Sequence, residues 1–197
     1  QVHFGPSHEY TIMAAMSHAN ILRTVGRLTD ARTTGAGAVA DCRLKFGDRH
    51  PMTLAAQVNF GIILRLLGEN DAAHDIESTT FTMLQEVLGM AHPYTLAAAN
   101  NYANCLVGGN RISEARALTL SVMELSRDVR GDQHPDTLTA MVNAALDIAA
   151  TDGGEAGQHL FNDAVRQLEQ VLGKEHPETV SARTRRRVDC DVEHPPS

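Results

Sequence analysis

One nine-residue pattern returns five times at a fixed spacing, and that spacing constrains the fold more than any other feature of the chain. It reads FGPSHEYTI from Phe4, FGDRHPMTL from Phe46, LGMAHPYTL from Leu88, RGDQHPDTL from Arg130 and LGKEHPETV from Leu172. Each copy begins 42 residues after the one before, with no insertion, and Gly, His and Thr hold the second, fifth and eighth places in all of them. A constant period of this length marks units that stack, because one unit alone leaves an apolar face uncovered.

Each unit reads as a helix pair. Pro51, Pro93, Pro135 and Pro177 suit the first turn of a helix, where a missing N–H removes no bond. Gly47, Gly89, Gly131 and Gly173 fall just past the end of the preceding helix, as left-handed caps would. A second break falls mid-unit at Gly26, Gly68, Gly108–Gly109–Asn110 and Asp152–Gly153–Gly154. The predicted helices are therefore 9–24, 29–45, 51–66, 70–87, 93–107, 112–129, 135–150, 155–171 and a last one over 177–187. In the leading helix of each pair, Ile12/Leu54/Leu96/Leu138, Ala19/Gly61/Ala103/Ala145 and Leu22/Leu64/Leu106/Ile148 share one face. The small residue in the middle lets the partner helix come close, as do Ala31, Ala73, Ala115 and Gly157 in the trailing helices.

The segment GNRISEAR at 109–116, followed by HPxTL on the 42-residue period, resembles tetratricopeptide repeats of the kinesin-light-chain type. The resemblance covers almost the whole chain. The ordinary unit of that family is 34 residues, so the extra eight imply longer helices or connections. Ala15, Gln57, Ala99 and Met141 stand where the family carries a large aromatic. The resemblance implies an all-α, right-handed superhelical solenoid of antiparallel helix pairs, with four full repeats (4–45, 46–87, 88–129, 130–171) and a C-terminal capping helix in the partial repeat 172–187. One such domain would span 4–187, with tails at 1–3 and 188–197. Kinesin binding is not implied, since the same repeats are attached to many different proteins.

The leading helices of such a stack line its concave face, and the informative column there is Ser17/Asn59/Asn101/Asn143. Asn is a poor helix former, at roughly 0.5 kcal/mol less favourable than Ala, yet it recurs in three successive units. A carboxamide offers donors and an acceptor, so a row of them can bond the backbone of an extended peptide almost regardless of its sequence. The resemblance implies the same use. Asn59, Asn101 and Asn143, with Asn20, Asn100 and Asn104 beside them, are the expected peptide clamp on an open, hydrated groove. The plainer alternative is that they bridge adjacent helices. Arg23 and Arg65 occupy one column and could fork onto a ligand carboxylate, or could simply meet a helix C-terminus. Met13 and Met16 are candidates for an adaptable apolar contact at the groove mouth.

Nothing points to catalysis. The recurring His8, His50, His92, His134 and His176 are too far apart to converge on one metal ion; they read as turn residues. No phosphate-binding loop, zinc-protease signature or nucleophile–base pair is present. Thr11, Thr53, Thr95, Thr137 and Thr179 read as first-turn hydroxyls that satisfy free N–H groups. Arg183, Arg185, Arg186 and Arg187 read as the outward polar face of the last helix.

Composition agrees. Aromatics make up 4% of the 197 residues and Trp is absent, which suits helices packed through Ala and Leu. The net charge of −7 argues against general nucleic-acid binding. It is unevenly spread, with seven Arg or Lys against four Asp or Glu in residues 1–65. Three cysteines without metal-type spacing fit a reducing cytoplasm, no stretch is long enough to span a membrane, and the Ala, Arg and Gly usage hints at a bacterial source. The opening Gln suggests a piece of a longer protein. The expected protein is a non-enzymatic module that takes a protein or peptide partner and needs no cofactor, nucleic acid or membrane. It would be a monomer, with a homodimer or a scaffold docked on its own chain as the alternative.

Overall fold

His-Pro starts every leading helix but the first, which opens on His8-Glu9, and a glycine follows each trailing helix before the next His-Pro. The computed structural model describes residues 8–192. Phe4–Ser7 of the first motif, the segment 1–3, and 193–197 with His194 lie outside them. The helices are α1 (Glu9–Thr24), α2 (Leu28–Phe46), α3 (Pro51–Leu66), α4 (Asn70–Leu88), α5 (Pro93–Gly108), α6 (Ile112–Arg130), α7 (Pro135–Ile148), α8 (Glu155–Val171) and α9 (Pro177–Arg183). Among the described residues there is no strand, and no helix is long and apolar enough to cross a membrane. The all-α, tetratricopeptide-like class expected from the repeat is what the chain adopts.

Three local devices differ from the sequence expectation. First, the recurring histidine is the helix cap. Nδ1 of His8, His50, His92 and His134 accepts the backbone N–H two residues on, at 3.1–3.3 Å. The first-turn threonine faces the other way, and Thr53 donates its hydroxyl backward to the Gly47 carbonyl at 2.7 Å. Histidine wins because its ring nitrogen reaches the free N–H groups from an extended backbone, as Asn or Ser would.

Second, the glycines closing the trailing helices are not in the left-handed helical region. Gly47 has φ 90° and ψ 165°, and Gly89 has φ 83° and ψ 161°. Only glycine enters this region without strain, which explains its invariance across the copies. The left-handed caps close the leading helices instead. There the N–H of Arg27, Glu69 and Arg111 bonds the carbonyl five residues back, at 2.8–3.0 Å.

Third, the last helix stops at Arg183 rather than at 187. Arg185 takes φ 56°, and the Arg186 N–H bonds the Ser181 carbonyl at 3.0 Å. The same end-cap that closes the earlier leading helices thus falls a full turn sooner than expected. Arg185 is held in place over the Phe161 ring, 4.6 Å from its centroid.

The described residues pack as two units. In the unit formed by 8–89 with 191–192, α1 packs on α2, α2 on α3 and α3 on α4. Ala19, Leu22, Ala31 and Ile63 make one of its apolar clusters, with Phe60 and Leu67 against them. In the unit 90–190, α5 to α9 pack in sequence. Leu138, Met141, Val142, Ala145, Phe161, Ala164, Leu168 and Ala182 form its main cluster, and Val188 from beyond the last helix joins them. The expected close approaches are real. A Cβ on Gly157 would lie 2.8 Å from the Ala145 carbonyl oxygen and the Ala149 nitrogen.

Candidate functional site

The asparagine face is not open to water. In the unit 90–190, α5 presents Asn100, Asn101 and Asn104, and α7 presents Asn143 and Asp147. All five are buried, with exposures of 0–4%. What covers them is the chain's own segment Arg187–Cys190, which leaves α9 and runs in extended form across their side chains. Val188 and Cys190 are buried, whereas Asp189 between them is half-exposed, the alternation of a strand.

The amides bond this segment through its backbone. Asn143 donates to the Val188 carbonyl at 2.8 Å and accepts the Val188 N–H at 3.0 Å. Asn101 does the same two residues on, donating to the Cys190 carbonyl at 2.7 Å and accepting its N–H at 2.9 Å. Asn100 and Asn104 add donors to the Val188 carbonyl at 3.1 and 3.0 Å. Asn143 also donates to Asn100 Oδ1 at 2.9 Å, so the amides orient one another. A side chain that meets both polar groups of one residue holds an extended backbone without consulting its side chain. The groove expected to stand open is instead filled by this segment, whose backbone satisfies the donors and acceptors of the amides.

Side chains at the edges add charge. Arg187 pairs with Asp147 and donates from Nε to Asn104 Oδ1 at 2.6 Å. Thr119 of α6 donates to Asp147 Oδ2 at 2.8 Å, and Asn104 donates to Asp189 Oδ1 at 2.7 Å. Arg187 is therefore turned inward, contrary to its reading as part of an outward polar face; Asp147 offers it a buried counter-charge that solvent does not.

In the other unit, Asn59 of α3 repeats the paired bonding, donating to the Val192 carbonyl and accepting its N–H, both at 2.9 Å. Arg23 of α1 donates from one terminal nitrogen to both oxygens of the Asp191 carboxylate, at 2.6 and 2.7 Å. Arg65 lies 3.5 Å from the buried Glu77 of α4, inside its own helix pair. Asn20 lines a small, partly open pocket with Met16, Asn59 and Phe60. Its Oδ1 is buried with no hydrogen-bond partner among the described residues. Met16 is core rather than groove mouth, 5% exposed, its Sδ 3.8 Å from Cys42 Sγ.

Sequence reasoning named the asparagines and missed what lies against them. Asp147, Thr119 and Asp191 carry no sequence signal of this role, and Arg187 reads from sequence as part of an outward polar face. The available signal was Val188-Asp-Cys-Asp-Val192, strict apolar–polar alternation over five residues, which reads as an extended segment with one buried face.

Comparison with known proteins bears on the fold. The tetratricopeptide repeat family model matches residues 10–86. No curated protein matches the sequence. Among solved structures, a kinesin-light-chain candidate of Podosopora anserina with nearly identical TPR-like repeats superposes with a TM-score of 0.71 at 19% identity, over 93% of this chain and 85% of that one. A single-substitution variant of that protein gives 0.71 at 18% identity with the same coverage. BtubC (BKLC) from P. vanneervenii gives 0.68 at 14% identity, over 85% of this chain and 66% of that one.

Proposed function

With residues 10–86 matching tetratricopeptide repeats and the chain folded like kinesin-light-chain-type repeats, we propose that it is a peptide-binding module whose asparagines hold an extended segment of a partner protein. Tetratricopeptide repeats mediate protein–protein interaction, and their fold is a typically non-catalytic scaffold. The observation that carries the reading is the paired bonding of Asn143 to Val188 and of Asn101 to Cys190. Each amide addresses one residue's N–H and C=O, and the two addressed residues are two apart, the period at which a strand turns the same side to its neighbour. In residues 90–190 Asn101 and Asn143 are the clamp, reinforced by Asn100 and Asn104; in the other unit Asn59 plays the same part and Arg23 takes a carboxylate. Asn20 and Arg65 are the outlying members of the proposed set. A cytoplasmic setting suits the three buried cysteines.

A second reading has its own support: the asparagines serve the chain's own segment 187–192, and the module docks on itself. The two separate in a capture experiment with the full chain and an Asn59→Ala/Asn101→Ala/Asn143→Ala variant. A defined partner retained by the native chain and lost by a helical variant supports partner binding at the asparagines. A partner held equally by both moves the interface elsewhere. A native chain that retains no partner, with the segment equally protected in hydrogen exchange at all dilutions, supports self-docking.

A further inference from the structure

The asparagines read backbone, so they leave open which sequence the site prefers. Asp147 answers that. Its carboxylate is 2% exposed and sits on α7. One repeat earlier the same place is Cys105, and before that Ile63 and Ile21. The column is apolar in the other copies, so repeat stacking does not call for a charge there. A buried carboxylate without a cation is strongly unfavourable, and the Thr119 hydroxyl supplies only one neutral bond. The cation comes from the extended segment. Arg187 meets both Asp147 oxygens with its two terminal nitrogens and turns Nε to Asn104. This three-point arrangement fits the guanidinium fork and cannot be matched by the single ammonium of lysine.

The next places are equally defined. Val188 enters the apolar cluster of Leu138, Val142 and Phe161. Asp189 takes the Asn104 amide at 2.7 Å. Cys190, a small side chain, is 5% exposed. We propose that the site in residues 90–190 selects a partner segment reading arginine, β-branched apolar, acidic, small apolar. Asp147 is its specificity-determining residue, and the chain's own Arg187–Cys190 is the template that such a segment replaces. The inference rests on the peptide-binding reading and adds a sequence to it.

The test uses fluorescence anisotropy with a labelled peptide of residues 184–192 and versions carrying Lys or Ala in place of Arg187. The recipients are two full-length variants that weaken the resident segment, Arg187→Glu and Asp189→Lys, each first checked for native helicity. The expected result is that the arginine peptide binds about tenfold or more tighter than the lysine and alanine peptides. That preference should vanish when Asp147→Asn is added. Equal binding of all three peptides overturns the arginine selectivity while leaving the backbone clamp intact. Failure of every peptide to bind either helical recipient overturns the clamp and the selectivity together.

Discussion

Both backbone polar groups of Cys190 are held by the single side chain of Asn101, which donates at 2.7 Å and accepts at 2.9 Å. In Asn101→Ala both groups lose their partner beside a buried helix face. Each buried bond is worth about 1 kcal/mol net, so a loss of about 2 kcal/mol is expected. Chemical denaturation measures it. Asn101→Asp, which keeps the acceptor and removes the donor, should lose a similar amount, since a buried anion replaces the amide. Equal stability of Asn101→Ala and the native chain would mean that the segment does not rest there.

The two arginines of the site should differ in weight. Arg187 faces a carboxylate that is 2% exposed, whereas the Asp191 carboxylate facing Arg23 is 34% exposed. Arg187→Ala strands a buried charge and should destabilise by about 3 kcal/mol or more. Arg23→Ala breaks a partly solvated pair, worth about 1 kcal/mol or less. Parallel urea titrations of the two variants check the order.

Two glycines within helices make a contrasting pair. A Cβ on Gly157 would meet backbone atoms at 2.8 Å, whereas one on Gly37 meets nothing within 4 Å. Gly157→Ala should therefore destabilise by about 1–3 kcal/mol through overpacking. Gly37→Ala, in the middle of α2, should stabilise by about 0.5–1 kcal/mol. Thermal unfolding of both resolves the signs.

The histidine caps make stability depend on pH. Burial, and then the nearby Arg130 charge, hold His92 and His134 below the ordinary histidine value of 6.5. The unfolded chain therefore takes up protons before the folded one as the pH falls. The stability these caps contribute is complete above about pH 6.5 and is lost progressively below it, levelling off under the folded-state pKa. A His92→Asn/His134→Asn variant keeps an acceptor at each cap and removes the titration. Denaturation midpoints between pH 5 and 8 should slope less for it than for the native chain.

The helix ends and buried columns were legible because period and chain geometry coincide. Pro51, Pro93, Pro135 and Pro177 begin helices as expected, and Leu54, Leu96 and Leu138 are buried at 0–2%. The capping histidine was hidden because its role depends on ring rotation, which spacing does not encode. The inward turn of Arg187 was hidden for another reason. Whether a run of arginines faces water is decided by a counter-charge 40 residues away, and Asp147 carries no mark of its burial when read alone. The early stop of α9 rests on a left-handed arginine, a conformation that residue seldom adopts.

Of the three buried thiols, Cys42 lies in α2 and Cys105 in α5, while Cys190 lies on the extended segment. Burial pushes the Cys42 thiol up to about 11, so it is slow to form the reactive thiolate. Reaching either helical cysteine requires opening a helix pair, but reaching Cys190 requires only that the segment lift away. The chain thus contains its own clock: the rate at which a thiol reagent modifies Cys190 times how often the asparagines let go, while the helical cysteines time the loosening of the fold itself.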